Sequence, residues 1–577
     1  MIRVSDYPRP QWVRETWHSL DGLWVYAFDE TKEVQCVAWE GDIRVPYPPE
    51  SSLSGLNNQA FHPVIWYQRT FSVPAAWQGK RIHLHFGAID YRADVWVNGQ
   101  RVAKHEGGHT PFSADITDAL TGVEETLTVR AEDDPQDMQM PRGKQDWLAE
   151  PHVIWYPRTT GIWQSVWLEP VPETYLEMVR FTPDLAQFGF LIDIQVAQPK
   201  ENLTLKMTFK QGDKILAEDT LALFKEAKRF VYLSDPGIDN ARRALMWSPE
   251  HPNLVSVELQ LYQGDTQLDD VKTYTALRTV EARDGAFLLN GRPYFLRLVL
   301  DQGYWDESLL AAPDGDALKK DVELAKAMGF NGVRKHQKIE DPRYLYWADT
   351  LGLLVWAELP SAYSFSPTAS QRLTREWLDV ITRDYNHPCV VAWVCFNESW
   401  GVPDLPRSEA QRHLVAGLYH LTKALDPHRP VIGNDGWEHV VTDLLTIHDY
   451  TPSPDTLRQR YATQEASEQT LTSQLEHGRP ILLADTPISD EPKILSEFGG
   501  VRYASVAEGW GYQQVENAEA LLELYTEMIG AVAGSGLAGF CYTQFADTFQ
   551  EQNGLLYSDR RPKVPLEALY EATRGRS

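Results

Sequence analysis

The chain is poor in cysteine, in positive charge and in long apolar runs. Four cysteines, Cys36, Cys389, Cys395 and Cys541, are scattered over 577 residues. Lying mostly in apolar stretches, they exclude a disulfide frame or a thiol metal set and fit buried thiols in a reducing compartment. No apolar run approaches the roughly 18 residues a membrane span requires. The opening Met1–Pro10 lacks the apolar core of a signal peptide, so a cytoplasmic protein is expected. Lys and Arg total 54 against 81 Asp and Glu, a formal net charge of −27. Such a surface repels phosphate backbones and anionic lipid, so neither nucleic acid nor a membrane is an expected partner.

Aromatic side chains are abundant, with 20 Trp. They fill β-sandwich cores more often than they pack on the apolar faces of sugar rings, and both uses are open here. A chain this long exceeds one hydrophobic core, and its periodicity changes twice. Up to about residue 178, short strands alternate with Pro, Gly and Asp turns. One example is Ala93–Val97 followed by the hairpin pair Asn98-Gly99, and the segment predicts an N-terminal β jelly roll over 1–178. Over 179–280 a clean period of two, as in Val255, Val257, Leu259 and Leu261, predicts an immunoglobulin-like β-sandwich. From 281 to 577 eight apolar runs alternate with amphipathic stretches. The runs are Tyr294–Leu300, Gly329–Arg334, Leu353–Leu359, Val390–Phe396, Val431–Asn434, Leu444–His448, Ile494–Phe498 and Leu537–Phe545. Apolar runs without alternation are what strands covered on both faces show, and eight strand–helix units predict a C-terminal (β/α)8 TIM barrel.

A barrel concentrates its chemistry at the strand C-termini. Asn397-Glu398 ends the fourth run and Glu497 lies in the seventh, so two carboxylates are expected at one mouth. One carboxyl that protonates a glycosidic oxygen and a second that attacks the anomeric carbon are the equipment of retaining glycoside hydrolysis. Two other patterns carry no such chemistry. His105-Glu106-Gly107-Gly108-His109 fits a zinc motif that needs a helix, which paired glycines in a strand-rich domain oppose. Gly534–Gly539 fits a dinucleotide loop but runs from helix into strand, the reverse of the required order. No metal is expected.

With these residues goes a set of motifs: Leu20-Asp21-Gly22-Leu23-Trp24, Trp66–Phe71, Val97-Asn98-Gly99, Gly107–Phe112, Thr160–Gln164, Leu245–Glu250, Leu289-Asn290-Gly291, Gly329–Arg334, Asn386-His387-Pro388, Asn397-Glu398-Ser399 and Ser496–Gly499. In them the chain resembles glycoside hydrolase family 2, the β-galactosidases, β-glucuronidases and β-mannosidases, over essentially its whole length. The resemblance implies Glu398 as acid/base, Glu497 as nucleophile, Asn397 on the sugar 2-OH, and Arg334 as the cation that keeps the nucleophile ionised. His336, His448, Tyr450, Asn434, Asp435, Trp437, Trp400, Trp510, Asp547 and Glu551 follow strands at the mouth and are expected to line the sugar site. Tyr450 is expected to hydrogen-bond the nucleophile. This chemistry needs no cofactor.

The family's glucuronidases carry a late Asn-x-Lys pair for the substrate carboxylate, and this chain has no Lys between Lys493 and Lys563. The expected substrate is therefore a β-D-galactoside or related neutral glycoside. Lys335 and Lys338 keep a β-glucuronide or β-galacturonide open, and an α-L-arabinoside is a further alternative. A non-catalytic carbohydrate-binding protein and a transglycosylase are competing readings. A homo-oligomer, in which the jelly roll completes a neighbour's pocket, also stays open.

Overall fold

A computed structural model of the chain describes residues 6–29, 38–473, 475–483, 486, 490–503 and 509–575. Cys36 lies outside the described residues. The other three cysteines are buried free thiols.

The N-terminal jelly roll packs a six-stranded antiparallel sheet against a four-stranded one. The first sheet runs in the order 41–45, 22–28, 64–71, 125–132, 92–97, 100–106, and the second in the order 18–19, 166–171, 81–86, 112–115. Asn98 and Gly99 both take positive φ, 50° and 79°, as a two-residue hairpin turn requires. His105-Glu106 ends a strand, so the zinc-like pattern has no helix. The second sandwich pairs a three-stranded with a four-stranded antiparallel sheet. In its strand Val255–Gln263 alternate residues are buried, the period of two seen in the sequence.

The barrel strands are β1 (Leu296–Asp301), β2 (Gly332–Lys335), β3 (Leu354–Glu358), β4 (Val390–Val394), β5 (Val431–Ile432), β6 (Leu445–His448), β7 (Lys493–Gly499) and β8 (Gly539–Thr543). All eight apolar runs thus form strands of one parallel sheet, in the order β5-β4-β3-β2-β1-β8-β7-β6. Strand β5 is shorter than its run. A Cβ on Gly433 would lie 2.2 Å from the Val441 carbonyl oxygen, so the backbones meet there and pairing stops. An antiparallel bridge from Ile432 to Thr442 spans the remaining gap. Among the described residues no helix is long and apolar enough to cross a membrane.

Specific contacts lock the three parts together. Arg14 joins Glu169 of the jelly roll to Asp269 of the second sandwich, at 3.3 and 2.8 Å. The Trp247 indole donates to the Asp349 carbonyl of the barrel at 2.7 Å. The jelly roll also reaches the barrel mouth. Trp155 donates to the Tyr363 hydroxyl at 2.8 Å, and Tyr363 donates to the Gly143 carbonyl at 2.7 Å.

Candidate active site

Strands β4 and β7 bring Glu398 and Glu497 to one mouth. Oxygens of the two carboxylates and a nitrogen of His448 all lie within 4.8 Å of one another. Past the end of β4 the chain turns through the left-handed region at Glu398 and Ser399, with φ of 52° and 59°. Two such residues in succession cost roughly 1–2 kcal/mol each, and β5 supplies the restraint. Asp435 accepts the Glu398 amide on its backbone oxygen, and the Asn434 side chain accepts the Ser399 amide, both at 3.0 Å. Asn434 also donates to the Trp437 carbonyl at 2.6 Å. It braces the loop that carries Glu398.

Arg334, at the end of β2, is fully buried and organises the floor. Its guanidinium donates to Glu358 at 2.7 Å, to Glu497 at 2.8 Å and to Asn397 Oδ1 at 2.6 Å, and forms an ion pair with Asp435 at 2.8 Å. Asn397 Nδ2 has no partner among the described residues. Asp435, which has no exposed surface, also accepts from Ser496 Oγ at 2.7 Å and counters the charge of Arg334. Glu358, at the end of an apolar run, was open to the same strand-end reasoning and was missed. Its second oxygen meets His336 Nδ1 at 3.0 Å.

The two catalytic candidates sit in different fields. Burial alone would raise the Glu497 carboxyl, but the charges of His448 and Arg334 and the Tyr450 hydroxyl, at 2.6 Å, hold it below its ordinary value. Burial alone would lower His448, yet Glu497, Asp435 and Glu398 push it up to about 10, so it is an imidazolium at neutral pH. Its Nδ1 lies 2.8 Å from Glu398 Oε1. Tyr450 is itself stacked on Tyr512, ring centroids 3.5 Å apart. Tyr512 was also missed.

Other expected site residues divide. Trp437 packs edge-on against His448, and Trp400 packs beside His336 and Tyr363. The Trp510 indole donates to the Val153 carbonyl, which joins β7's loop to the jelly roll. Glu551 is buried. Its Oε2 accepts from Tyr156 at 2.5 Å and its Oε1 from Asn553 at 3.2 Å. Asp547 is held by Lys563 at 2.6 Å.

The strand-two lysines require correction: neither is a mouth cation. Lys335 is 2.7 Å from both Asp301 and Glu340, and Lys338 is 2.8 Å from Glu340 and donates to the carbonyls of Gly303 and Leu310. All of these groups are buried. Lys144, from a jelly-roll loop, lies 5.1 Å from the centre of the Trp400 ring, and nothing local in its sequence marks it.

Comparison with known proteins accounts for the arrangement. The family model described as the TIM barrel domain of glycosyl hydrolases family 2 matches residues 280–574, and the sugar binding domain of that family matches 43–169. Rat β-glucuronidase is 26% identical over 613 residues, 96% of this chain and 90% of its own length. A β-galactosidase of Thermoanaerobacter pseudethanolicus is 31% identical over 356 residues, and a putative β-glucuronidase of Formosa agariphila is 26% identical over 446. These alignments take in 58% and 74% of this chain but only 45% and 52% of the two relatives, so the chain matches about half the length of each. Among solved structures, the β-D-glucuronidase of Dictyoglomus thermophilum superposes with a TM-score of 0.78 at 20% identity over 98% of both chains. A β-galacturonidase of Eisenbergiella tayi superposes with a TM-score of 0.75 at 21% identity over 99% of both. With the matched barrel model covering just over half of its length, the chain belongs to glycosyl hydrolase family 2.

Proposed function

We propose that the chain is a retaining exo-glycosidase that releases a terminal sugar by double displacement, with Glu497 as nucleophile and Glu398 as acid/base. The observation that carries this reading is the short carboxylate separation combined with unequal surroundings. Retention calls for carboxyl groups about 5–5.5 Å apart, whereas inversion needs room for a water between them. Glu497, held ionised by His448 and Arg334, attacks the anomeric carbon and forms a glycosyl ester. Glu398, 16% exposed and turned to the mouth, gives its proton to the departing oxygen. It then takes a proton from the water that cleaves the ester. Asn397 Nδ2 is the donor available to the sugar 2-OH.

The activities of the relatives favour a uronide over the neutral sugar expected from the sequence, since β-glucuronidases and a β-galacturonidase predominate among those compared. A neutral β-galactoside is the second reading. It is favoured by the Thermoanaerobacter relative and by Glu551, a buried acceptor suited to a hydroxyl.

The test is a 2-deoxy-2-fluoro glycoside with a good leaving group, followed by peptide mass spectrometry. The label is expected on Glu497. Glu398→Ala is expected to lose most turnover and to regain part of it with azide, which replaces the missing base on substrates that need no proton. A label on another residue, or an inverted product anomer, would refute the assignment.

A further inference from the structure

The cations around the mouth are accounted for one by one. Arg334 is spent on three carboxylates, Lys335 and Lys338 on Glu340 and its neighbours, and Lys563 on Asp547. Lys144 differs. It is buried to 4% exposure, yet among the described residues its ammonium makes neither an ion pair nor a hydrogen bond. It lies 5.1 Å from the centre of the Trp400 ring and 5.8 Å from that of Tyr156. Burial lowers its pKa, and the carboxylates that oppose this are those of the site: Glu551 first, then Glu497, Glu398 and Glu358. A buried ammonium without a counter-ion is costly unless something fills the space beside it.

Its placement is built into the fold. Arg142 and Gly143 donate their amides to the Ser361 carbonyl at 3.1 and 3.2 Å, Tyr363 holds the Gly143 carbonyl, and Tyr156 donates its amide to the Lys144 carbonyl at 2.8 Å. Gly143 has φ of 60°, and a Cβ there would lie 2.2 Å from the Gln337 carbonyl oxygen. Only glycine lets this loop press against the β2 loop and deliver the next residue to the mouth.

Resting on the glycosidase reading above, we propose that Lys144 receives the C5 carboxylate of a hexuronide, the recognition supplied by the jelly roll and not by the barrel. Glu551 does not bar the anion. Both of its oxygens already hold donors, Tyr156 and Asn553, and burial raises its carboxyl from the ordinary value, as it lowers the Lys144 ammonium. The rings of Trp400 and Tyr156 flank the ammonium.

The experiment compares kcat/KM for nitrophenyl β-D-galacturonide and β-D-glucuronide with the matching galactoside and glucoside, in the wild type, Lys144→Met and Lys144→Arg. Losing one partner of a buried charge pair is expected to lower the uronide-to-neutral ratio by roughly 100-fold in Lys144→Met. Lys144→Arg is expected to recover part of it. In parallel, calorimetry measures the binding of free D-galacturonate and D-glucuronate against D-galactose and D-glucose. An unchanged ratio in Lys144→Met, or a wild type that cleaves and binds only the neutral sugars, overturns the proposal while leaving the glycosidase reading intact. If no glycoside is cleaved, the glycosidase reading fails and the uronate-binding arm alone decides: binding lost with Lys144→Met supports the receptor, and equal binding overturns it.

Discussion

Replacing Arg334 by Met removes one charge from a floor that holds three carboxylates, Glu358, Asp435 and Glu497, each within 2.8 Å of its guanidinium. Unit charges about 4 Å apart at an effective dielectric of about 20 interact by roughly 4 kcal/mol. At 1.36 kcal/mol per unit, that is a ceiling of about three pKa units on Glu497. The realised shift is smaller. His448 remains as a cation beside Glu497, Tyr450 still donates to it, and Glu358 or Asp435 can take up the proton instead. The expected outcome is an acidic limb of kcat/KM displaced upward by about one to two pH units, with activity falling about tenfold per unit below it. The sign follows from the nucleophile: its carboxyl is depressed in the wild type, so losing the cation lets protons compete at higher pH. A nitrophenyl substrate suits the assay because its leaving group needs little help from Glu398, and the limb then reports on Glu497. Arg334→Lys guards against misfolding. It keeps the charge and leaves the limb near its wild-type position, but it loses the fork that fixes Asn397, so kcat falls. An acidic limb displaced by less than about 0.3 units in folded Arg334→Met would refute the argument.

Two further outcomes test the loops. Lys335→Ala leaves Asp301 and Glu340 buried without their shared cation, so it is expected to cost about 3–5 kcal/mol of stability. Calorimetry should show a lower Tm with an unchanged uronide-to-neutral ratio, and a changed ratio would restore Lys335 as a specificity residue. Gly143→Ala forces a Cβ against the Gln337 carbonyl and displaces Lys144. The uronide-to-neutral ratio is expected to fall about tenfold while the Tm drops only a few degrees; a wild-type ratio would show that the loop does not set the position of Lys144.

Much of the molecule was written locally. Strand and helix periods repeat over a few residues, so all eight barrel strands and the turn at Asn98-Gly99 could be read directly. A strand's direction also fixes which end carries the chemistry, and that singled out Glu398 and Glu497, while the family resemblance added Arg334. The fate of each charge was not local. Lys335 seemed available in the sequence because its partner Asp301 lies 34 residues away, and pairing of that kind follows only from how strands β1 and β2 align. Asn434 and Asp435 follow β5 as sugar-site residues would, yet packing buries both, Asn434 against the Glu398 loop and Asp435 against Arg334. Lys144 stands in another domain from Glu551, and only the docking of the jelly-roll loop on Ser361 and Gln337 brings the two into one field. The sequence determined which residues can carry charge and which strand ends they follow. The tertiary structure decided which of those charges are spent on one another, because burial and partners at long sequence separation set the energy of an ion.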